Sequence, residues 1–312
     1  MHLSDAQHER GSHAVSGIVR CRWCVRSVGP PDTSRDLRAL LSVDAWAARD
    51  LPKPERLLGD LITRTSPTFI VGRTGFGKTM FGAALATGMA SGTGFLRWRS
   101  IRPARVLLID GEMPGELIKA RSVDALRRAD RPPPPGNRVI YSSELEEQIA
   151  RICPSLGKLA PLNTEDGQNF VLALIDALGG VDVVIFDNVM SLVAGDQKDE
   201  VPWSDTRPLV QSLTTRRVGQ VWLDHTGHNT DRQYGSATKA WRFDTVGLMI
   251  PLVAGESASG ELAFTLSFER PGKARRRTPD RWADFETCRI RLRDDRWPLD
   301  DQLAGQKRKS NG

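Results

Sequence analysis

Gly72-Arg73-Thr74-Gly75-Phe76-Gly77-Lys78-Thr79 sets glycines, a lysine and a threonine at the spacing GxxxxGK[ST]. Glycines there let backbone N–H groups turn inward on an anion, because no Cβ blocks the left-handed conformations such a turn needs. Lys78 would reach the outer phosphates of a nucleotide, and Thr79 would offer its hydroxyl to Mg²⁺. The flanks agree with that chemistry. Residues 68–71, Thr-Phe-Ile-Val, form a short apolar strand, and residues 78–89 have helical spacing. The helix would point its positive end at the same phosphates. ATP with Mg²⁺ is the expected ligand, and all eight residues are its expected cradle.

A phosphate cradle needs a carboxylate partner for the metal. Val183-Val184-Ile185-Phe186-Asp187 is an apolar strand ending in an acid, so Asp187 is expected to hold Mg²⁺, through water. Hydrolysis also needs a base for the attacking water. One place for it directly follows the strand-ending aspartate, but Asn188 stands there. Another is the end of the strand after the cradle helix, where Val106-Leu107-Leu108-Ile109-Asp110-Gly111 is followed by Glu112. Without that role, Glu112 is a helix-start acid favourable to the dipole.

The elements that must position these groups alternate. After the cradle helix come a buried strand at 105–110, a helix at 114–128 and a strand at 138–141. A helix at 168–178, a strand at 181–187, a helix at 209–217 and a strand at 219–224 follow. Continuous apolar strands separated by helices predict a mostly parallel sheet covered on both faces, an α/β fold. The segments 244–253, 261–269 and 287–294 look like successive strands without helices between them, and they predict antiparallel pairing at one edge. Ahead of the core, residues 39–49 have helical spacing and stop before Leu51-Pro52-Lys53-Pro54. The expected division is a flexible extension over 1–38, a lead-in helix and linker over 39–66, an ATPase domain over 67–302 and a basic tail over 303–312.

The chain has 312 residues and a formal net charge of +6, which permits nucleic-acid contact without requiring it. Four scattered cysteines are too few for a disulfide framework and suit a reducing cytoplasm. Cys21-Arg22-Trp23-Cys24 has a CxxC spacing, but no second ligand pair follows at a distance suited to zinc. There is no apolar stretch of signal-peptide type at the start and none long enough to span a bilayer.

The run Ile109-Asp110-Gly111-Glu112-Met113-Pro114 resembles the RecA-like ATPases, including replicative helicases of the DnaB and RepA kinds. In that group the strand after the cradle helix ends in a catalytic glutamate, which the resemblance carries to Glu112. Gln220-Val221-Trp222-Leu223-Asp224-His225-Thr226-Gly227-His228 is similar to the group's sensor segment. RepA-like members carry a His-His pair there. Asp224 departs from that pattern, and His225 matches the second member and inherits its γ-phosphate sensor role. Residues 226–234 would then form the loop that contacts single-stranded nucleic acid. Glu269-Arg270-Pro271-Gly272-Lys273-Ala274-Arg275-Arg276-Arg277 carries a Lys-x-Arg after a strand. The resemblance makes Lys273 and Arg275 fingers for a neighbour's γ-phosphate, and makes the basic 273–277 loop a DNA contact. It covers about residues 40–300 and implies a RecA-like core, a homo-oligomer of hexamer-ring type and often a plasmid or phage setting.

Two functions follow from these readings. One is an ATP-driven motor on single-stranded DNA in replication or recombination, a RepA-like helicase. The other is an ATP-dependent regulatory or partner-loading switch on the same fold, with no movement on DNA. A nucleotide kinase is disfavoured, because no lid or acceptor site follows the cradle helix.

Overall fold

The computed structural model describes residues 33–196, 200–225, 243–252, 262–270 and 283–300. The chain divides into two compact units, one ending at Lys53 and one starting at Pro54. In the first, α1 (Thr33–Leu41) and α2 (Val43–Ala48) replace the single helix expected over 39–49. The break is Ser42, whose extended backbone interrupts the helix while its hydroxyl accepts from the Ala45 N–H at 3.1 Å. Arg49 folds back, donating to the Leu40 carbonyl at 3.0 Å and lying over the Trp46 ring.

The second unit opens on a small antiparallel pair, β1 (Arg56–Leu58) and β2 (Ile62–Thr63), absent from the sequence reading because three residues carry no readable alternation. The main elements then follow in chain order. They are β3 (Pro67–Gly72), α3 (Lys78–Ser91), β4 (Val106–Asp110), α4 (Gly115–Arg127), β5 (Arg138–Tyr141), α5 (Glu146–Ile152) and α6 (Glu165–Ala177). After these come β6 (Val183–Asp187), α7 (Val189–Leu192), α8 (Glu200–Ser204), α9 (Arg207–Thr215) and β7 (Gly219–His225). The chain closes with β8 (Thr245–Pro251), β9 (Leu262–Arg270), β10 (Cys288–Leu292) and β11 (Leu299–Asp300). Helix α6 starts three residues before the expected 168, because Thr164 caps it by accepting from the Gly167 N–H at 3.2 Å.

The nine-stranded sheet runs β11-β10-β9-β8-β3-β7-β6-β4-β5. From β8 to β5 all pairings are parallel. From β8 outward through β9 and β10 to β11 they are antiparallel. This is the α/β arrangement expected, with the antiparallel strands at the C-terminal edge. Each central strand sends alternate residues into two cores. Phe69, Val184, Phe186 and Trp222 join α6 and α9 on one face. Ile70, Ile185, Val221 and Leu223 join α3 on the other. Helix α3 is rich in Ala and Gly, which lets it lie close to the sheet: a Cβ on Gly82 would come within 2.7 Å of Leu223. At the amino ends of the strands, buried Asp182 pairs with Arg64 and Arg102 and accepts from the Arg105 N–H. Among the described residues no helix is long and apolar enough to cross a membrane.

Candidate active site

The parallel order puts the carboxyl ends of β3, β7, β6 and β4 side by side, the edge of an open α/β sheet where ligands bind. Register aligns Gly72 with His225, and Asp187 with Asp110. Between β3 and α3, Gly75 (φ +81°) and Gly77 (φ +76°) take left-handed conformations that a side chain would strain. A Cβ on Gly77 would also lie 2.4 Å from Leu262. Gly77 is the N-cap of α3 and supplies no side-chain cap, so the first amides of the helix are available to an outside acceptor. Arg73, Thr74 and Gly75 are exposed at the loop tip, with the Arg73 guanidinium 5.5 Å from the Phe76 ring centre.

Lys78 is buried. Its ammonium donates to the Gly72 and Arg73 carbonyls at 2.9 and 3.0 Å and lies 2.9 Å from His225 Nδ1. Burial pulls its pKa down to about 8, against the opposing pull of Asp187, Asp224 and Glu112. His225 Nδ1 is also 2.9 Å from the Thr74 hydroxyl. Burial first, and the neighbouring Lys78 charge second, lower the His225 pKa, so the ring is neutral at pH 7. Asp224, which departs from the family pattern, is buried and accepts the His225 backbone N–H at 2.8 Å.

Asp187 ends β6 with 3 % of its surface exposed. Burial pushes its pKa up to about 6, and a hydrogen bond from Thr79 pulls it back toward the usual range. Its Oδ2 is a buried oxygen with no hydrogen-bond partner among the described residues. An orphaned carboxylate oxygen beside a hydroxyl suits a hard divalent cation, so Thr79 and Asp187 fit Mg²⁺. Asp110, on the neighbouring strand, accepts the N–H groups of Glu112 and Met113 at 3.1 and 2.7 Å, which turns the chain and presents Glu112.

Glu112 accepts a hydrogen bond from the Asn188 side-chain amide. Asn188 is not among the residues expected of the site, since the base is expected to be an acid and an amide cannot take that role. The spacing Asn188-x-x-Ser191 was the available clue, since it forms a capping box at the start of α7. Lys78, Thr79, Glu112, Asp187 and His225 thus lie in one neighbourhood. Lys273, Arg275 and residues 226–234 lie outside the described residues.

These ionisations predict a pH dependence. Asp187 must be charged to hold a cation, which is lost as pH falls through about 6. Lys78 must be charged to hold phosphate, which is lost as pH rises through about 8. Second-order turnover of MgATP, measured as kcat/KM from pH 5 to 9.5, is therefore expected to be bell-shaped with limbs near those values. A profile flat across both limbs would separate these two groups from the reaction.

In overall fold the chain is similar to a KaiC-like protein, PH0186, from the hyperthermophilic archaeon Pyrococcus horikoshii OT3. That likeness has a TM-score of 0.53 at 11% identity, and covers 80% of this chain and 99% of that one. The flagellar accessory protein FlaH from Methanocaldococcus jannaschii aligns at 13% identity and a TM-score of 0.45, over 76% of this chain and 89% of its own. No curated protein matches the sequence. The sequence model of the AAA domain matches residues 31–231, a span that holds the cradle, both candidate acids and His225. With the phosphate cradle set between β3 and α3, the chain belongs to the AAA domain family.

Proposed function

We propose that this protein hydrolyses ATP with Mg²⁺, Glu112 being the general base. The observation that carries the reading is the position of Glu112. It leaves β4 beside the strand that ends in Asp187, and its carboxylate is tied to Asn188. The backbone amides of the cradle and Lys78 would hold the phosphates, and Thr79 and Asp187 would hold the cation. When bound, Mg²⁺ neutralises charge on the β- and γ-phosphates. Glu112 would take the proton of the water that attacks the γ-phosphate, and His225 would report that phosphate to β7.

The finer reading couples this hydrolysis to single-stranded DNA. It rests on the net charge of +6, on the basic residues of 273–277 and on the place of residues 226–234 directly after β7. Lys273 and Arg275 would complete a neighbouring subunit's site, so full turnover would need a ring in the cytoplasm. Under this reading a single-stranded oligonucleotide raises ATP turnover severalfold, and its affinity falls steeply with salt as phosphate contacts release counterions. The competing reading is a nucleotide-dependent switch or partner loader on the same fold, with no movement on DNA. ATPase assays with and without oligonucleotide at low salt, beside the mass of the nucleotide-bound assembly, separate the two. Assembly with ATP and no response to DNA would leave the switch standing.

A further inference from the structure

Asn188 joins groups that are far apart in sequence. Its amide nitrogen donates to Glu112 Oε2, 76 residues away, and lies 3.2 Å from His225 Nε2, 37 residues away. Its orientation is decided by the other end of the amide. Oδ1 accepts from the Ser191 N–H at 3.2 Å, and the Ser191 hydroxyl in turn donates to the Asn188 carbonyl at 3.0 Å. An N–H can only donate, so Oδ1 must face Ser191 and the NH₂ must face Glu112 and His225. The residue is only 5 % exposed, so a turn of the amide would leave buried groups unmatched.

His225 is less settled. The Lys78 ammonium can only donate, so His225 Nδ1 accepts from it and the ring proton sits on Nε2. Nε2–H then confronts the Asn188 NH₂, donor against donor. A γ-phosphate that takes the Lys78 ammonium removes the cause, because the Thr74 hydroxyl, also 2.9 Å from Nδ1, can accept as readily as donate. Nδ1 is then free to carry the proton and donate to a phosphate oxygen, and Nε2 can accept from Asn188. The exchange is proton-neutral for the ring and for the solvent: one proton leaves Nε2 for water and one arrives at Nδ1 from water.

We propose that Asn188 is the positioning residue of this site, holding one oxygen of Glu112 so that the other faces the attacking water, and that a γ-phosphate completes the arrangement by moving the His225 proton to Nδ1. The proposal rests on the reading of Glu112 as base and deepens it, because it makes the base answer to the third phosphate. ADP, lacking that phosphate, leaves His225 in its original tautomer.

Asn188→Ser tests the amide without removing the cap. The serine hydroxyl still accepts the Ser191 N–H but is too short to reach Glu112, and it adds no charge beside that carboxylate. With the full-length chain, kcat for MgATP is expected to fall about tenfold to a hundredfold, in the range for residues that orient a reacting group. KM and the melting temperature stay near wild type. Asn188→Ala should lose kcat similarly and lose stability as well, since it also lacks the cap. In ¹⁵N-histidine spectra, with His225 assigned by its loss in His225→Gln, the ring should be Nε2–H without nucleotide and with ADP. It should be Nδ1–H with a non-hydrolysable ATP analogue. Wild-type kcat in Asn188→Ser, a fall in kcat that tracks lost stability in both variants, or one tautomer under all three conditions would overturn the proposal. Glu112→Gln run in parallel separates the two claims. If it is slow while Asn188→Ser is normal, the base stands and the positioning role falls. If it turns over normally, the base assignment itself has failed.

Discussion

Lys78→Ala is expected to abolish ATP hydrolysis, with turnover down about a thousandfold or more, the scale of losing a charged clamp on a transferring phosphoryl group. The fold should survive it. Lys78 is buried, and burial lowers its pKa to about 8, so the ammonium is held at a cost that the neighbouring acids offset only in part. Its hydrogen bonds go to the Gly72 and Arg73 carbonyls, the lip of the cradle itself, and to His225 Nδ1 beside it, so they serve the site and not the core. Removing a partly repaid buried charge leaves the melting temperature near wild type or above it. Binding of a fluorescent ATP analogue should weaken along with turnover. Retained hydrolysis in a folded variant would contradict the assignment of the cradle. Unfolding of the variant would show that the cradle lysine serves the fold first.

Glu112→Gln is expected to separate binding from chemistry. The amide is close in shape and can still meet Asn188 through its own oxygen, so the local geometry persists. Glu112 sits on the exposed turn after β4, held there by Asp110 acting on the backbone. Little packing depends on it. Affinity for MgATP should stay near wild type. The amide cannot accept a proton from water, so kcat falls by the factor a general base supplies, about a hundredfold to ten-thousandfold. Single-turnover hydrolysis together with equilibrium binding checks both halves. Near-normal kcat would refute Glu112 as the base.

Much of this was legible in the sequence because its causes are local. Gly72 to Thr79 are consecutive, and the conformations of Gly75 and Gly77 follow from glycine's missing Cβ. The strands at 68–71, 105–110, 181–187 and 219–224 were readable because strands buried on both faces are apolar without interruption. The short elements were less so. Three residues cannot declare β1, and two cannot declare β11. The break at Ser42 turned on one hydroxyl that caps a new helix where the periodicity alone would have continued.

The phosphate cradle and the acids that end the strands beside it are legible in the residue order alone. Which of those ends meet was decided by the order β3-β7-β6-β4, which depends on how the helices cover both faces of the sheet. That order brings Glu112 from β4 and His225 from β7 to either side of Asn188 on β6's end, across separations of 76 and 37 residues. No spacing rule reaches that far along a chain. A side-chain amide has a fixed donor end and acceptor end, so Asn188 became informative only once its three neighbours were in place.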